Sequence, residues 1–167
     1  MTAALIIPGL YLGSYRDSLN CRFITAAGIS HILNVNNSCR FPDDQSIKFF
    51  HLSMSDTGES DLNQIFSKAF PFIDQARDGG GTLLLHCSMG HNRSATVSIG
   101  YLMHHLGWTL EKAHEHVRSQ SPHIAPHELY LRQLQQFELK LSGKITLTEG
   151  AKGVSAQGII KRLTNKI

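Results

Sequence analysis

Cysteine is scarce in this chain, and so are the features that would tie it to a membrane, a metal or a nucleic acid. The 167 residues hold three Cys. Their positions, Cys21, Cys39 and Cys87, make neither a disulfide framework nor a zinc pattern, so a reducing compartment is expected. No segment approaches membrane-spanning length, which argues against membrane insertion. The opening Met1-Thr2-Ala3-Ala4-Leu5-Ile6-Ile7-Pro8 has no basic segment and too short an apolar run for a secretory leader. Thr2 stands where a myristoylated Gly would, and the last residues hold no prenylation Cys. The expectation is a soluble cytoplasmic protein, with the nucleus also open. A net charge of +3 is too slight and too evenly spread to suggest a nucleic-acid partner. The 10 His lack metal-ligand spacing: His114 and His116 cannot share a helix face, and His104, His105, His123 and His127 have no carboxylate-rich pattern around them. No metal and no cofactor are expected.

What is present suffices for one core. With 41% apolar residues, a chain of this length folds as one domain without staples. A short strand pair near residues 5–12 leads to a helix over 17–27, then to strands at 31–35 and 48–54. Residues 61–77 carry Leu62, Ile65, Phe66, Ala69, Ile73 and Ala76 at helical spacing, although Pro71 should kink that helix or break its hydrogen bonding. Gly79-Gly80-Gly81 ends it before a buried strand at 82–86. Helices at 93–106, 109–120 and 126–141 follow. Strands alternating with helices, then helices alone, predict an α/β fold: a central, mostly parallel twisted sheet with helices on both sides. Residues 142–167, rich in Gly, Lys and Thr, have no clear period and are expected to form a mobile or loosely packed tail, with Lys161, Arg162 and Lys166 as an alternative docking patch.

One stretch concentrates the chemistry: Leu83-Leu84-Leu85-His86-Cys87-Ser88-Met89-Gly90-His91-Asn92-Arg93-Ser94. An apolar strand ends at a Cys, and a short loop returns through Arg into a helix. The backbone N–H groups of residues 88–93 then converge in front of the helix N-terminus, where unpaired amides and the helix dipole favour an anion such as phosphate. Cys87 lies at the floor of that trap, and the same amides stabilise its thiolate. Arg93 can grip two phosphate oxygens in its planar fork. Gly90 permits the positive φ or close backbone approach that a tight loop needs.

The run His-Cys-x-x-Gly-x-x-Arg-Ser resembles the signature of cysteine-dependent protein phosphatases, specifically the small dual-specificity branch. Ile7-Pro8-Gly9-Leu10-Tyr11-Leu12-Gly13-Ser14 and Ala27-Gly28-Ile29-Ser30-His31-Ile32-Leu33-Asn34-Val35 are similar to passages of the same domains, as are residues 95–106 and 126–134. The resemblance covers most of the chain and implies a catalytic domain over 1–141. It implies a phosphate loop between the central strand and a helix, and hydrolysis of phosphotyrosine and of phosphoserine or phosphothreonine in proteins through a phosphocysteine intermediate. The implied partner is a phosphorylated protein; the oligomeric state is not indicated.

By the same resemblance, Cys87 is the nucleophile, Arg93 and the amides of Ser88, Met89, Gly90, His91 and Asn92 bind phosphate, and Asp56 is the general acid. Asp61 is the nearby competitor, but its place at a helix start has a capping explanation. Ser94 is expected to donate to the departing Cys87 sulfur, or to cap its own helix, or both. His86 serves as an orienting hydrogen-bond residue behind the nucleophile. The side chains of Met89, His91 and Asn92 shape the rim, with His91 adding charge at mildly acidic pH or acting only through its amide. Where the family carries a bracing Asn after its last Pro, this chain has Pro126-His127-Glu128, so His127 either substitutes as a donor or leaves the brace looser. Cys21 and Cys39 are expected as buried small residues, the alternative being a disulfide partner for oxidised Cys87. The same chemistry on a phosphoinositide, a phosphoglucan or an RNA 5′-phosphate is the alternative substrate reading, and a binding module with little turnover is a further one.

Overall fold

The computed structural model describes residues 3–40 and 44–147. Its strands are β1 (Ala4–Ile7), β2 (Leu10–Ser14), β3 (Ile29–Asn34), β4 (Lys48–His51) and β5 (Thr82–Cys87). Its helices are α1 (Tyr15–Ser18), α2 (Cys21–Ala26), α3 (Leu62–Asp78), α4 (Arg93–Leu106), α5 (Leu110–Gln120) and α6 (Glu128–Ser142). The five strands form one sheet in the order β1-β2-β5-β3-β4. Only the β1–β2 pair is antiparallel; β5 runs parallel to both of its neighbours.

The central strand reads as a continuous apolar run because both of its faces are covered. Leu83, Leu85 and Cys87 face a large core closed by α3, α4, α5 and α6, whereas Leu84 faces a smaller cluster with Ile29 and Ile32, packed under Phe23 and Ile24 of α2. The three leucines are all 0% exposed, and each such side chain contributes about 1.5–3 kcal/mol on leaving water. The fold class is therefore the expected one, with unequal covers: long helices on one face and the short α1–α2 pair on the other.

One local expectation needs correction. The helix predicted over 17–27 is two helices, because polar caps start each of them separately. Ser14 accepts from the Asp17 N–H while Asp17 accepts from the Ser14 N–H, a capping box that starts α1. Asn20 then accepts from the Phe23 N–H at 3.1 Å and starts α2 afresh. Pro71 lies inside α3, which runs on through it. Its missing N–H deprives the carbonyl four residues back, at Ser67, of its helical bond, and both residues are on the exposed face, where that loss costs least.

The packed unit also extends past α6. Buried Glu138 accepts from the Leu110 N–H that opens α5 and from both the N–H and the hydroxyl of Thr146, each at 2.8 Å. Gln135 donates to the Leu147 carbonyl at 2.8 Å. Residues 143–147 are thus held against the helices instead of belonging to a loose tail. The rest of the predicted tail, with Lys161, Arg162 and Lys166, lies outside the described residues.

Candidate active site

Sheet register assembles the site. Ser14 at the end of β2 pairs with Cys87, and Asn34 at the end of β3 pairs with His86, so three parallel strands deliver their carboxyl ends to one edge. From β2 the chain turns into α1, and the Tyr15 N–H donates to the Ser88 carbonyl at 3.0 Å. From β3, buried Asn34 organises the next loop by accepting from the Asn36 N–H and donating to the Ser38 carbonyl. On the far side the Ala125 N–H donates to the His91 carbonyl at 2.8 Å. Because a trans peptide directs its C=O and the following N–H oppositely, anchoring the Ser88 and His91 carbonyls outward turns the Met89 and Asn92 amides inward. Gly90 completes the turn at φ +78°, and a Cβ there would come within 2.7 Å of the Gly13 carbonyl.

Cys87 is 2% exposed at the floor of this loop. Its Sγ receives the Gly90 N–H at 3.3 Å and the Ser94 hydroxyl at 3.1 Å. Ser94 lies in the first turn of α4, so one short side chain spans from the helix start back to the sulfur. Behind Cys87, His86 is 1% exposed, and its Nδ1 lies 3.2 Å from the Cys87 carbonyl. Burial holds the imidazole below its ordinary range, against the opposing pull of that carbonyl and of Asp17, with His51 adding to the depression.

Arg93 is 4% exposed, an unusual place for a guanidinium unless it has partners. Nη1 donates to Asn37 Oδ1 at 3.0 Å and to the Met54 carbonyl at 3.3 Å. Its Nε lies 3.2 Å from Asp56 Oδ1, an ion-pair distance, but the N–H is off-axis and the atom has no hydrogen-bond partner. A buried donor left unpaired within a pocket lined by Cys87 is well suited to a ligand oxygen.

Asp56 comes from the loop after β4 and is 63% exposed at its side chain. The loop is carried by α6: Tyr130 donates its hydroxyl to the Ser55 carbonyl, and Gln133 donates to the carbonyls of Gly58 and Ser60 while accepting from the Leu62 N–H. Burial pushes the Tyr130 phenol above its ordinary range, so it is a neutral donor at physiological pH. Gly58, at φ +81°, packs against His127, where a Cβ would come within 2.6 Å of Nδ1. Asp61 accepts from the Asn63 N–H at 2.9 Å as the N-cap of α3.

The structure thus brings Cys87, Arg93, Ser94, His86 and Asp56 together, and leaves Asp61 to cap a helix. His127 reaches the loop through its backbone and not through its ring. Its imidazole accepts from the Leu129 N–H, capping α6, while its own backbone N–H donates to Asn92 Oδ1 at 2.7 Å. Cys21 and Cys39, expected to be buried, are both exposed, Cys21 at the outer start of α2 and Cys39 in the loop beyond β3. Asn37, Tyr130 and Gln133 escaped sequence reasoning. The one available signal was a polar pair three residues apart among the apolar positions of α6.

The site opens into a cleft of about 540 Å³ bounded by Asn36, Asn37, Ser38, Asp56, Cys87 and the loop through Arg93. No Phe, Tyr or Trp is among its described lining residues. A second cleft of about 450 Å³ lies beyond the rim formed by Ser88, Met89 and His91, against Ser14, Tyr15 and Arg16. Met89 crowns that rim, 67% exposed. A thiol beneath convergent donors, a buried guanidinium and an exposed carboxylate at its edge together fit nucleophilic attack on a phosphate ester.

Comparison with known proteins agrees. Residues 10–140 match the model of the dual specificity phosphatase catalytic domain. The chain is 38% identical over 137 residues to dual specificity protein phosphatase 1B of Arabidopsis thaliana, covering 81% of each. To human dual specificity protein phosphatase 6 it is 36% identical over 138 residues, which is 81% of this chain and 36% of that protein. The crystal structure of human DUSP28 superimposes with a TM-score of 0.79 at 29% identity, covering 83% of this chain and 94% of that one. The chain belongs to the dual specificity phosphatase family and is a cysteine-dependent protein phosphatase.

Proposed function

We propose that the protein hydrolyses phosphotyrosine and phosphoserine or phosphothreonine in protein substrates through a phosphocysteine intermediate. In the first step the Cys87 thiolate attacks phosphorus, the ester P–O bond breaks, and Asp56 gives its proton to the departing oxygen. In the second, the Asp56 carboxylate takes a proton from water, the resulting hydroxide attacks phosphorus, and the S–P bond breaks to regenerate the thiolate and release inorganic phosphate. Arg93 and the amides of residues 88–92 bind the equatorial oxygens, and hold them better as charge spreads in the transition state. Ser94 donates to the sulfur as it regains charge in the second step. His86, neutral by burial, orients the nucleophile's backbone through the Cys87 carbonyl and carries no proton in the cycle.

The observation that carries this reading is the convergence of the Gly90 amide and the Ser94 hydroxyl on Cys87 Sγ, with buried Arg93 alongside. Acceptance of both side-chain classes is supported by the lining of the cleft, where short polar Asn36, Asn37 and Ser38 stand opposite the loop. No described Phe, Tyr or Trp deepens it beyond the reach of phosphoserine.

The test is phosphate release from matched phosphotyrosine, phosphoserine and phosphothreonine peptides, beside phosphoinositide and RNA 5′-phosphate controls. Turnover of peptides of both classes, abolished by Cys87→Ser, is the expected result. Activity confined to the lipid or the RNA would overturn the substrate assignment.

A further inference from the structure

Asn92 is the N-cap of α4, a position where an Asn side chain ordinarily accepts from its own helix. Here it makes no such bond. Its Nδ2 instead donates to Asp56 twice, to the side-chain Oδ1 and to the backbone carbonyl, each at 2.9 Å. Its Oδ1 accepts from the His127 N–H at 2.7 Å. The amide can be oriented only one way, because one end meets two acceptors and the other end meets a donor. Three segments distant in sequence therefore meet on one side chain: the loop bearing Asp56, the phosphate loop and the start of α6.

We propose that Asn92 is a positioning residue that clamps the acid loop over the phosphate loop and sets where the Asp56 carboxylate stands. The proposal rests on the reading of Asp56 as the general acid, and goes beyond it by naming what holds that acid in place. Asp56 needs such a holder. Its side chain is largely in water, and its contact with Arg93 Nε lacks hydrogen-bond alignment. Among the described residues the Asn92 amide alone bonds both its carboxylate and its backbone, fixing position and direction together. Because the side chain is turned outward to Asp56, it does not occupy the first-turn N–H groups of α4, which stay available to phosphate. The same residue thus serves both halves of the site: its backbone amide faces the anion, and its side chain holds the acid.

Asn92→Asp separates the two arms of the clamp. The carboxylate still accepts from the His127 N–H, but it can no longer donate to Asp56 and sets like charge against it. The readout is the ratio of kcat/KM for phenyl phosphate, whose leaving group needs a proton, to that for p-nitrophenyl phosphate, which needs one less. Any general weakening of anion binding by the new charge cancels in this ratio. The expected result is a fall of about tenfold or more, inside the roughly 10²–10⁴-fold that general acid catalysis supplies. Asn92→Ser, which removes both arms without adding charge, should lower the ratio in the same sense, and serves if the Asp variant does not fold. Asp56→Asn should lower it as well, and adding Asn92→Asp to Asp56→Asn should lower it no further. A ratio unchanged in both Asn92 variants, or losses that multiply in the double variant, would overturn the clamp. If Cys87→Ser retains turnover, or Asp56→Asn leaves the ratio unaltered, the fault lies in the proposed mechanism itself.

Discussion

The Ser94 hydroxyl donates to Cys87 Sγ across 3.1 Å, with both residues almost fully buried. Hydrogen bonds to charged groups contribute about 1.5–3 kcal/mol, and this one gains importance when the sulfur becomes a leaving group. Ser94→Ala should therefore lower kcat about 10- to 100-fold, chiefly in hydrolysis of the phosphoenzyme. Rapid-quench kinetics should show a larger burst of alcohol or phenol than in the wild type. An equal loss in both steps would mean that Ser94 serves only to hold Cys87 in place.

Gly90 joins positive φ to a close approach on Gly13, so a methyl group has nowhere to go. Gly90→Ala should strain the loop by about 1–3 kcal/mol. The displaced amides should cost on the order of 10²-fold in kcat/KM, as small misplacements in such sites do. Thermal unfolding and phosphate release on the same preparation check both effects.

His86 links the site to acid stability. Burial lowers its folded-state pKa below the unfolded value near 6.5. The unfolded chain thus takes up a proton that the folded chain refuses, and the His86 contribution, complete above that pH, is lost as pH falls through it toward the folded value. Urea unfolding at stepwise pH from 7.5 to 5.5 should show stability declining, and His86→Asn should flatten that decline. His31, depressed by burial and Lys48, adds to the wild-type slope in the same direction and remains in the variant.

The same long-range logic explains what could be read from the chain and what could not. The loop from Cys87 to Arg93 was readable because strand, cysteine, glycine, arginine and helix are contiguous, so local geometry alone brings them together. The long helices were readable because their apolar stripes repeat at helical period. The split between α1 and α2 turned on the capping side chains of Asp17 and Asn20, which outweigh a continuous apolar pattern. Tyr130 and Gln133 hold the loop bearing Asp56 from more than 70 residues away in sequence, and the bonds of Asn92 to Asp56 and His127 span 36 and 35 residues. Such pairings leave no periodic trace, and an Asn before a helix looks like a cap whether or not its side chain serves as one.

Glu138 shows that a buried acid need not be catalytic. It joins the first N–H of α5 to Thr146, and its removal leaves those donors orphaned together with a small cavity. Glu138→Ala should destabilise the protein by about 2–4 kcal/mol, whereas Glu138→Gln, which keeps the shape and one acceptor oxygen, should cost less. Urea midpoints report the difference, and kcat of the folded fraction should stay within about twofold because the site lies elsewhere.

A covalent bond between substrate phosphorus and Cys87 sulfur is what the mechanism requires above all else. Acid quenching during turnover of an aryl phosphate, followed by peptide mass spectrometry, should find phosphate on the peptide containing Cys87, localised to its sulfur. The signal should strengthen in Ser94→Ala and vanish in Cys87→Ser together with turnover. Phosphate on another residue, or full turnover by Cys87→Ser, would contradict it.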